Sequence, residues 1–168
     1  MEFIYNKWKK YVHDNWKEYS ARTEEDKHFF VSIDLAEMQK AINKIEKSLQ
    51  INFPTDLKEF YENLGGGYLW ANRRDKIGIY SVLEPIEIYD LYYPYEEEDL
   101  FATYRKNAWE NLESNLLAFC VIGEEDALLY YNIDDGGIYY LSTNRKIAGS
   151  LGEFYEQIDK DVDYFIGK

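Results

Sequence analysis

Cysteine occurs once, at position 120, so the chain can form no internal disulfide and is not a disulfide-stapled scaffold. Histidine is almost as scarce. His13 and His28 are the only two, which puts a histidine-rich metal site out of reach. No apolar run approaches the roughly 18 residues that a membrane helix needs. The opening MEFIYNKWKK has neither the apolar stretch nor the small-residue cleavage site of a secretion signal, and a reducing cytoplasm is the expected address. Positive charge is also short. Lys and Arg total 19 against 32 Asp and Glu, a formal net charge of -13, so a phosphate backbone or an anionic membrane is repelled. Neither nucleic acid nor membrane is an expected partner, whereas a basic protein would be steered in by the same field.

What is abundant is apolar and aromatic surface. Hydrophobic residues make up 46 % and aromatic residues 18 %, with Tyr 17, Phe 9 and Trp 4, which is ample to offset the entropy of ordering. At 168 residues the chain is read as one domain, 1–168, without repeats or a low-complexity linker.

Apolar spacing predicts the elements. Ile4, Trp8, Tyr11, Val12, Trp16 and Tyr19 recur at three and four, giving a helix over about 2–20, followed by a charged loop, ARTEEDKH. Asp34 with Glu37 resembles a capping box before the stripe Met38, Ala41, Ile42, Ile45 and Leu49. Pro54 suits the first turn of a third helix, whose buried face is Leu57, Phe60, Tyr61 and Leu64. Three glycines, 65 to 67, then end it. A phosphate-cradling loop runs from strand to glycines to helix N-terminus, and here the order is reversed, so Gly65 is expected to turn the chain in a left-handed conformation. After the glycines the period shortens to that of strands: YLW (68–70), IGIYSVL (77–83), IEIY (86–89), LLAFCVIG (116–123), ALLYYNI (127–133) and GIYYLS (137–142). DDGG at 134–137 predicts a hairpin. Ser150 with Glu153 caps a last helix carrying Leu151, Phe154, Tyr155, Ile158, Val162 and Phe165. The expected class is α+β, a mainly antiparallel twisted sheet of about five to six strands flanked by helices at the N- and C-terminal ends. The segment 90–114 is the least regular and the natural protrusion.

Groups able to do chemistry are few. His13, on a helix flank, and His28, in or beside the charged loop, are expected to be exposed and structural. Cys120, inside AFCVI, reads as a small core residue with nothing cationic nearby to make it a thiolate. Carboxylate pairs are many, and their abundance makes them weak evidence for hydrolysis. Asp134 and Asp135 lack the spaced ligands of a calcium loop. Neither metal nor cofactor is expected. More distinctive is Tyr92, Tyr93, Tyr95, Glu96, Glu97, Glu98 and Asp99, where tyrosine beside acid suits the gripping of a basic protein, although on these residues alone the loop is read first as solvated surface.

The ordered set Ile42, Ile45, Glu46, Leu49, Phe53, Pro54, Leu57, Phe60, Leu64, Gly65 and Gly66, with the later FCVIGEEDALLYYNIDDGGIYYLS and SLGEFYEQI, resembles the SMI1/KNR4 family of the SUKH superfamily over about 34–166. Phe53 stands where the family usually has Leu, the 2–20 helix is an addition, and 90–114 is longer than the family core requires. The resemblance implies a non-catalytic binding domain. Many bacterial members look like immunity proteins that neutralise toxins, often nucleases. On that basis the expected partner is a toxin domain with a basic surface, met by the 92–99 residues named above and by a second acidic edge, Glu124, Glu125 and Asp126. The alternatives are a scaffold or regulatory module unrelated to toxins and, more remotely, a carboxylate-dependent hydrolase. The oligomeric state is left open.

Overall fold

The computed structural model describes residues 1–72, 80–94, 101–123, 127–141 and 145–166. In chain order it runs α1 (Glu2–Trp8), a 3-10 turn (Lys9–Tyr11), β1 (Val12–His13), a 3-10 stretch (Trp16–Ala21), β2 (Phe29–Val31), α2 (Leu35–Leu49), α3 (Thr55–Leu64), β3 (Gly66–Leu69), β4 (Tyr80–Val82), α4 (Pro85–Tyr92), α5 (Ala102–Leu112), β5 (Leu116–Ile122), β6 (Ala127–Asn132), β7 (Ile138–Tyr140), β8 (Arg145–Ala148) and α6 (Leu151–Lys160). Among the described residues these strands form an 8-stranded sheet in sequential order. Only β1 and β2 pair in parallel, and every other neighbouring pair is antiparallel. The class is therefore the expected α+β, with more strands than the sequence suggests.

Two helices form where side-chain cap and stripe agree, and a third, α3, where proline and stripe do. Asp34 accepts a hydrogen bond from the Glu37 N–H (3.0 Å) and α2 buries Met38, Ala41, Ile42, Ile45 and Leu49. Ser150 does the same for Glu153 (3.1 Å) at α6. On α3, Leu57, Phe60, Tyr61 and Leu64 are buried. Cross-strand partners share a side of the sheet, so Phe30, Gly67, Val82, Cys120, Leu129 and Tyr140 line one face. The rings of Trp8 (5.6 Å) and Phe60 (5.8 Å) pack on Phe30, which places α1 and α3 on that face. One core cluster runs from Ile4 to Phe165. On the opposite face, Trp16 and Tyr19 rest on Phe29 and Tyr68.

Four expectations change. The 2–20 helix is broken: α1 ends at Trp8, and Val12 and His13 pair with Phe30 and Val31. Asn15 and Glu18 cap the following 3-10 stretch, where residues three apart eclipse, so Trp16 and Tyr19 share a face without an α-helix. IEIY is helical, not extended. Pro85 opens α4, the Glu87 carboxylate accepts from the Glu84 N–H (3.0 Å), and Ile88, Leu91 and Tyr92 are buried at helical spacing. Within 90–114, the described part is packed: α5 lies against α4 and β5, and Arg105 donates to the Leu91 and Asp90 carbonyls. Finally α6 stops at Lys160, and Phe165 is buried from the turn beyond it.

The glycine run sets how closely the strands approach. Gly65 closes α3, its N–H donating to the Tyr61 carbonyl (3.0 Å), at φ 86 and ψ -157. The sign of φ is as expected, but this is the region beyond left-handed helix that essentially only glycine occupies. A Cβ there would lie 1.8 Å from the Val31 carbonyl oxygen, and one on Gly67 would lie 2.0 Å from that of Phe29. Chain direction and strand contact, not an anion cradle, account for these residues. Gly65→Val should therefore cost roughly 2–4 kcal/mol in urea denaturation. Lys58→Ala, which removes a surface pair with Glu62, should cost less than about 0.5 kcal/mol. A neutral Gly65→Val would refute this account of the turn.

Candidate partner-binding surface

Of the residues singled out from sequence, Tyr95, Glu96, Glu97, Glu98, Asp99, Glu124, Glu125 and Asp126 lie outside the described residues. Tyr92 faces inward instead of outward. It is 1 % exposed, and its hydroxyl accepts the Ala118 N–H (3.0 Å) where β5 extends past β4. Trp109 packs edge-on against it (5.3 Å). Tyr93 is half-buried, stacked on Tyr89 (5.0 Å), with its hydroxyl donating to the Ser48 carbonyl (2.9 Å). Cys120 is buried, and burial pushes its thiol up.

His28 corrects the largest error. Far from being exposed, it is fully buried, and it meets the equally hidden Asp159 at the end of α6. The Asp159 carboxylate accepts from Trp8 Nε1 (3.0 Å), His28 Nε2 (3.0 Å), Lys27 Nζ (3.0 Å) and Lys7 Nζ. Burial alone would raise its pKa, but the bonds from His28, Lys7, Lys27 and Trp8 outweigh that and hold it well below the usual carboxylate range. Trp70, at φ 56, donates its backbone N–H to His28 Nδ1 (3.0 Å) and its indole N–H to the Ile158 carbonyl (2.7 Å). With Nδ1 accepting, Nε2 must donate to Asp159, so the imidazole is neutral. Burial, the largest influence, lowers its pKa accordingly. Both ring nitrogens are used, and this His–Asp pair cannot serve as a general base. His13 is likewise not on a helix: it lies in β1, stacked on Phe29 (4.2 Å).

Partner-facing features gather elsewhere. A groove of about 290 Å³ runs between α2 and α4, lined by Ile33, Glu37, Met38, Lys40, Ala41, Lys44, Glu84, Pro85 and Ile86. Ile86 is 44 % exposed and Leu35, at the start of α2, 58 %. Glu84 is bonded by Trp16 and passes so close over β3 that a Cβ on Gly66 would lie 2.2 Å from its Cγ. Partial burial, and then the neighbouring Glu87, push the Glu84 carboxyl up to about 7. Burial raises Glu87 as well. Two shallower surfaces lie apart from it. One includes Phe53, Pro54, Asp56, Glu59 and Tyr131, with Tyr131 donating to Asp56 (2.7 Å), and the other surrounds Trp109. Among the described residues, no three His, Cys, Asp or Glu side chains converge as metal ligands, and no helix is long and apolar enough to cross a membrane. Sequence reasoning passed over Glu84 and Glu87. The signal was Glu-Pro-x-Glu, a helix start with proline in its first turn, hidden because IEIY also suits a strand.

The described residues thus form a sheet backed by helices, with His28 and Cys120 tied into the core and a partly apolar groove at the surface. The chain belongs to the SMI1 / KNR4 family (SUKH-1), whose model matches residues 38–157. It is similar to the Immunity protein YxxD of Bacillus subtilis (strain 168), at 25% identity over 131 residues, covering 76% of this chain and 84% of that protein.

Two measurements test the electrostatics. Asp159→Ala leaves buried donors on Trp8 and His28 without an acceptor and should cost about 3 kcal/mol in urea at pH 7, against less than about 1 kcal/mol for the half-exposed Lys7→Met. Because the folded Asp159 pKa is depressed, its contribution is complete above about pH 4 and fades as pH drops below that value. Glu84 behaves oppositely. Its folded pKa is raised, so the unfolded chain binds fewer protons near neutrality and stability falls as pH climbs from about 4.5 toward 7. Glu84→Gln should raise Tm at pH 8 and leave it nearly unchanged at pH 5. An equal shift at both pH values would contradict the assignment.

Proposed function

We propose that this chain is an immunity protein. It binds a toxin domain and covers its active site or the approach of that toxin's substrate, and makes or breaks no bonds itself. Family membership together with the likeness to Immunity protein YxxD carries this reading. The chemistry agrees with it: His28 is saturated on both nitrogens, Cys120 is buried, and Glu87 serves as a helix cap. In this reading all 168 residues form one cytoplasmic domain, and the net charge of -13 selects a toxin with a basic surface, of the kind a nuclease domain presents. Tyr93 and Tyr95, with Glu96, Glu97, Glu98 and Asp99, supply contact area and carboxylates, and Glu124, Glu125 and Asp126 a second acidic edge.

Co-expression with the toxin domain encoded beside it should restore growth, and the two chains should elute as one complex. Neutralising Glu96, Glu97, Glu98 and Asp99 together should slow association about tenfold or more at low salt and change dissociation far less, as surface plasmon resonance would show. Failure of the wild-type chain to bind or protect would refute the immunity role. Unchanged association after neutralisation would move the contact away from this segment.

A further inference from the structure

We propose that the groove between α2 and α4 receives a protruding segment of the toxin domain, one that places an apolar side chain beside a lysine or arginine. The proposal rests on the immunity reading and adds to it the place and chemistry of the contact.

Size comes first. At about 290 Å³ the groove lies just below the range of small-molecule pockets, roughly 300 Å³ upward, and has room for side chains. Its floor is apolar, made by Ile33, Met38, Ala41, Pro85 and Ile86. Ile86 is not needed by the core, which α4 reaches through Ile88, Leu91 and Tyr92, yet it remains 44 % exposed. Met38, unbranched and polarizable, suits a floor that adapts to an incoming side chain.

Charge then selects the occupant. Glu84 lines the groove and Glu87 follows it within the first turn of α4, both partly dehydrated, and among the described residues no lysine or arginine pairs with either. The groups facing them are the Trp16 indole, the phenols of Tyr61 and Tyr68, Asp90 on the same helix, and Glu37, Lys40 and Lys44 across the groove. Lys44 is already held over the Tyr89 ring, 4.4 Å from its centroid. A guanidinium or ammonium from a partner would supply the missing counter-charge in a site already partly dry, where each charged hydrogen bond counts for more than at an open surface. An acidic segment would find Lys40 but would be set against Glu37, Glu84 and the overall charge of -13, which also makes a second copy of this chain a poor occupant.

The test uses the full chain and the toxin domain encoded beside it. Binding by isothermal titration calorimetry at pH 7.5 is compared for wild type, Ile86→Glu, Glu84→Gln and, as an exposed apolar control outside the groove, Phe3→Ser. Thermal melting checks that each variant folds. Ile86→Glu should weaken binding about 50-fold or more and Glu84→Gln about fivefold or more, with Phe3→Ser within about threefold of wild type. Wild-type affinity should also fall as pH drops below about 7 and Glu84 protonates, and Glu84→Gln should flatten that dependence. A wild-type chain that binds while both groove variants bind equally well overturns the groove and leaves the immunity reading standing. No wild-type binding overturns both. Sedimentation velocity showing a dimer that Ile86→Glu dissolves would assign the groove to a second copy and overturn the toxin segment as its occupant.

Discussion

One carboxylate ties the N-terminal segment to the rest of the molecule. Asp159 lies on the last turn of α6, where the helix dipole disfavours a negative charge, and burial adds to that penalty. It is tolerated because Lys7 and Trp8 from α1, and Lys27 and His28 from the approach to β2, all direct donors at it. Lys27 also bonds the Asp159 carbonyl, and Trp70 takes that of Ile158, so open carbonyls at the helix end are used in the same knot. Trp70 holds a positive φ, a conformation that persists only where surrounding contacts fix it. Apart from Trp70, the residues of this network lie outside the matched span 38–157. The N-terminal segment is thus fastened to α6, most of which lies in that span, by charge and hydrogen bonds as well as by the edge-on packing of Trp8 against Tyr155 (5.4 Å).

What could be read from sequence follows from where the physics is local. A side-chain cap or a proline in the first turn, a stripe at 3.6 spacing and a stop all lie within one helix, so α2, α3 and α6 were legible. DDGG was legible for the same reason: Asp135 accepts from the Gly137 N–H (2.7 Å), and Gly136 takes φ 75. Failures fell where a distant partner decides. Val12 and His13 continue a helical pattern until Phe30 and Val31 offer strand pairing. His28 sits in a charged run, and only the fold brings Asp159 to it from 131 residues away. Tyr92 belonged to a stretch that looked like solvated loop, whereas its hydroxyl completes an unpaired backbone N–H inside the protein. The site was less legible than the fold because surface chemistry depends on which groups remain unpaired, and that cannot be counted along a chain.

By the same accounting, several of the described reactive groups are already engaged in the fold. A general base needs a free nitrogen or oxygen, and a nucleophile needs exposure and a lowered pKa. Cys120 is buried with its thiol pushed up, and His28 has both nitrogens engaged. Glu84 and Glu87 are a carboxylate pair in the first turn of one helix, and both are shifted upward by burial. Paired carboxylates that share acid–base work need environments that push their pKa values apart, and they must flank the reacting bond. Both of these are raised, and they sit within the first turn of one helix. One of them is occupied in holding the helix start.

What then remains unpaired at the surface bears on partner choice at two ranges. Net charge acts over a Debye length, about 8 Å at physiological ionic strength, so it can raise the encounter rate with a basic domain without specifying any contact. Specificity needs contacts that fail when the wrong group arrives, and a carboxylate lining an apolar groove has that property. A purely apolar segment would leave Glu84 dehydrated without a counter-charge, and a purely basic one would leave Ile86 against water. Only a segment offering both groups would satisfy both, so in the proposed complex an overall charge shared by many acidic proteins and a small two-part groove divide the work, the first governing how often partners meet and the second which of them stay.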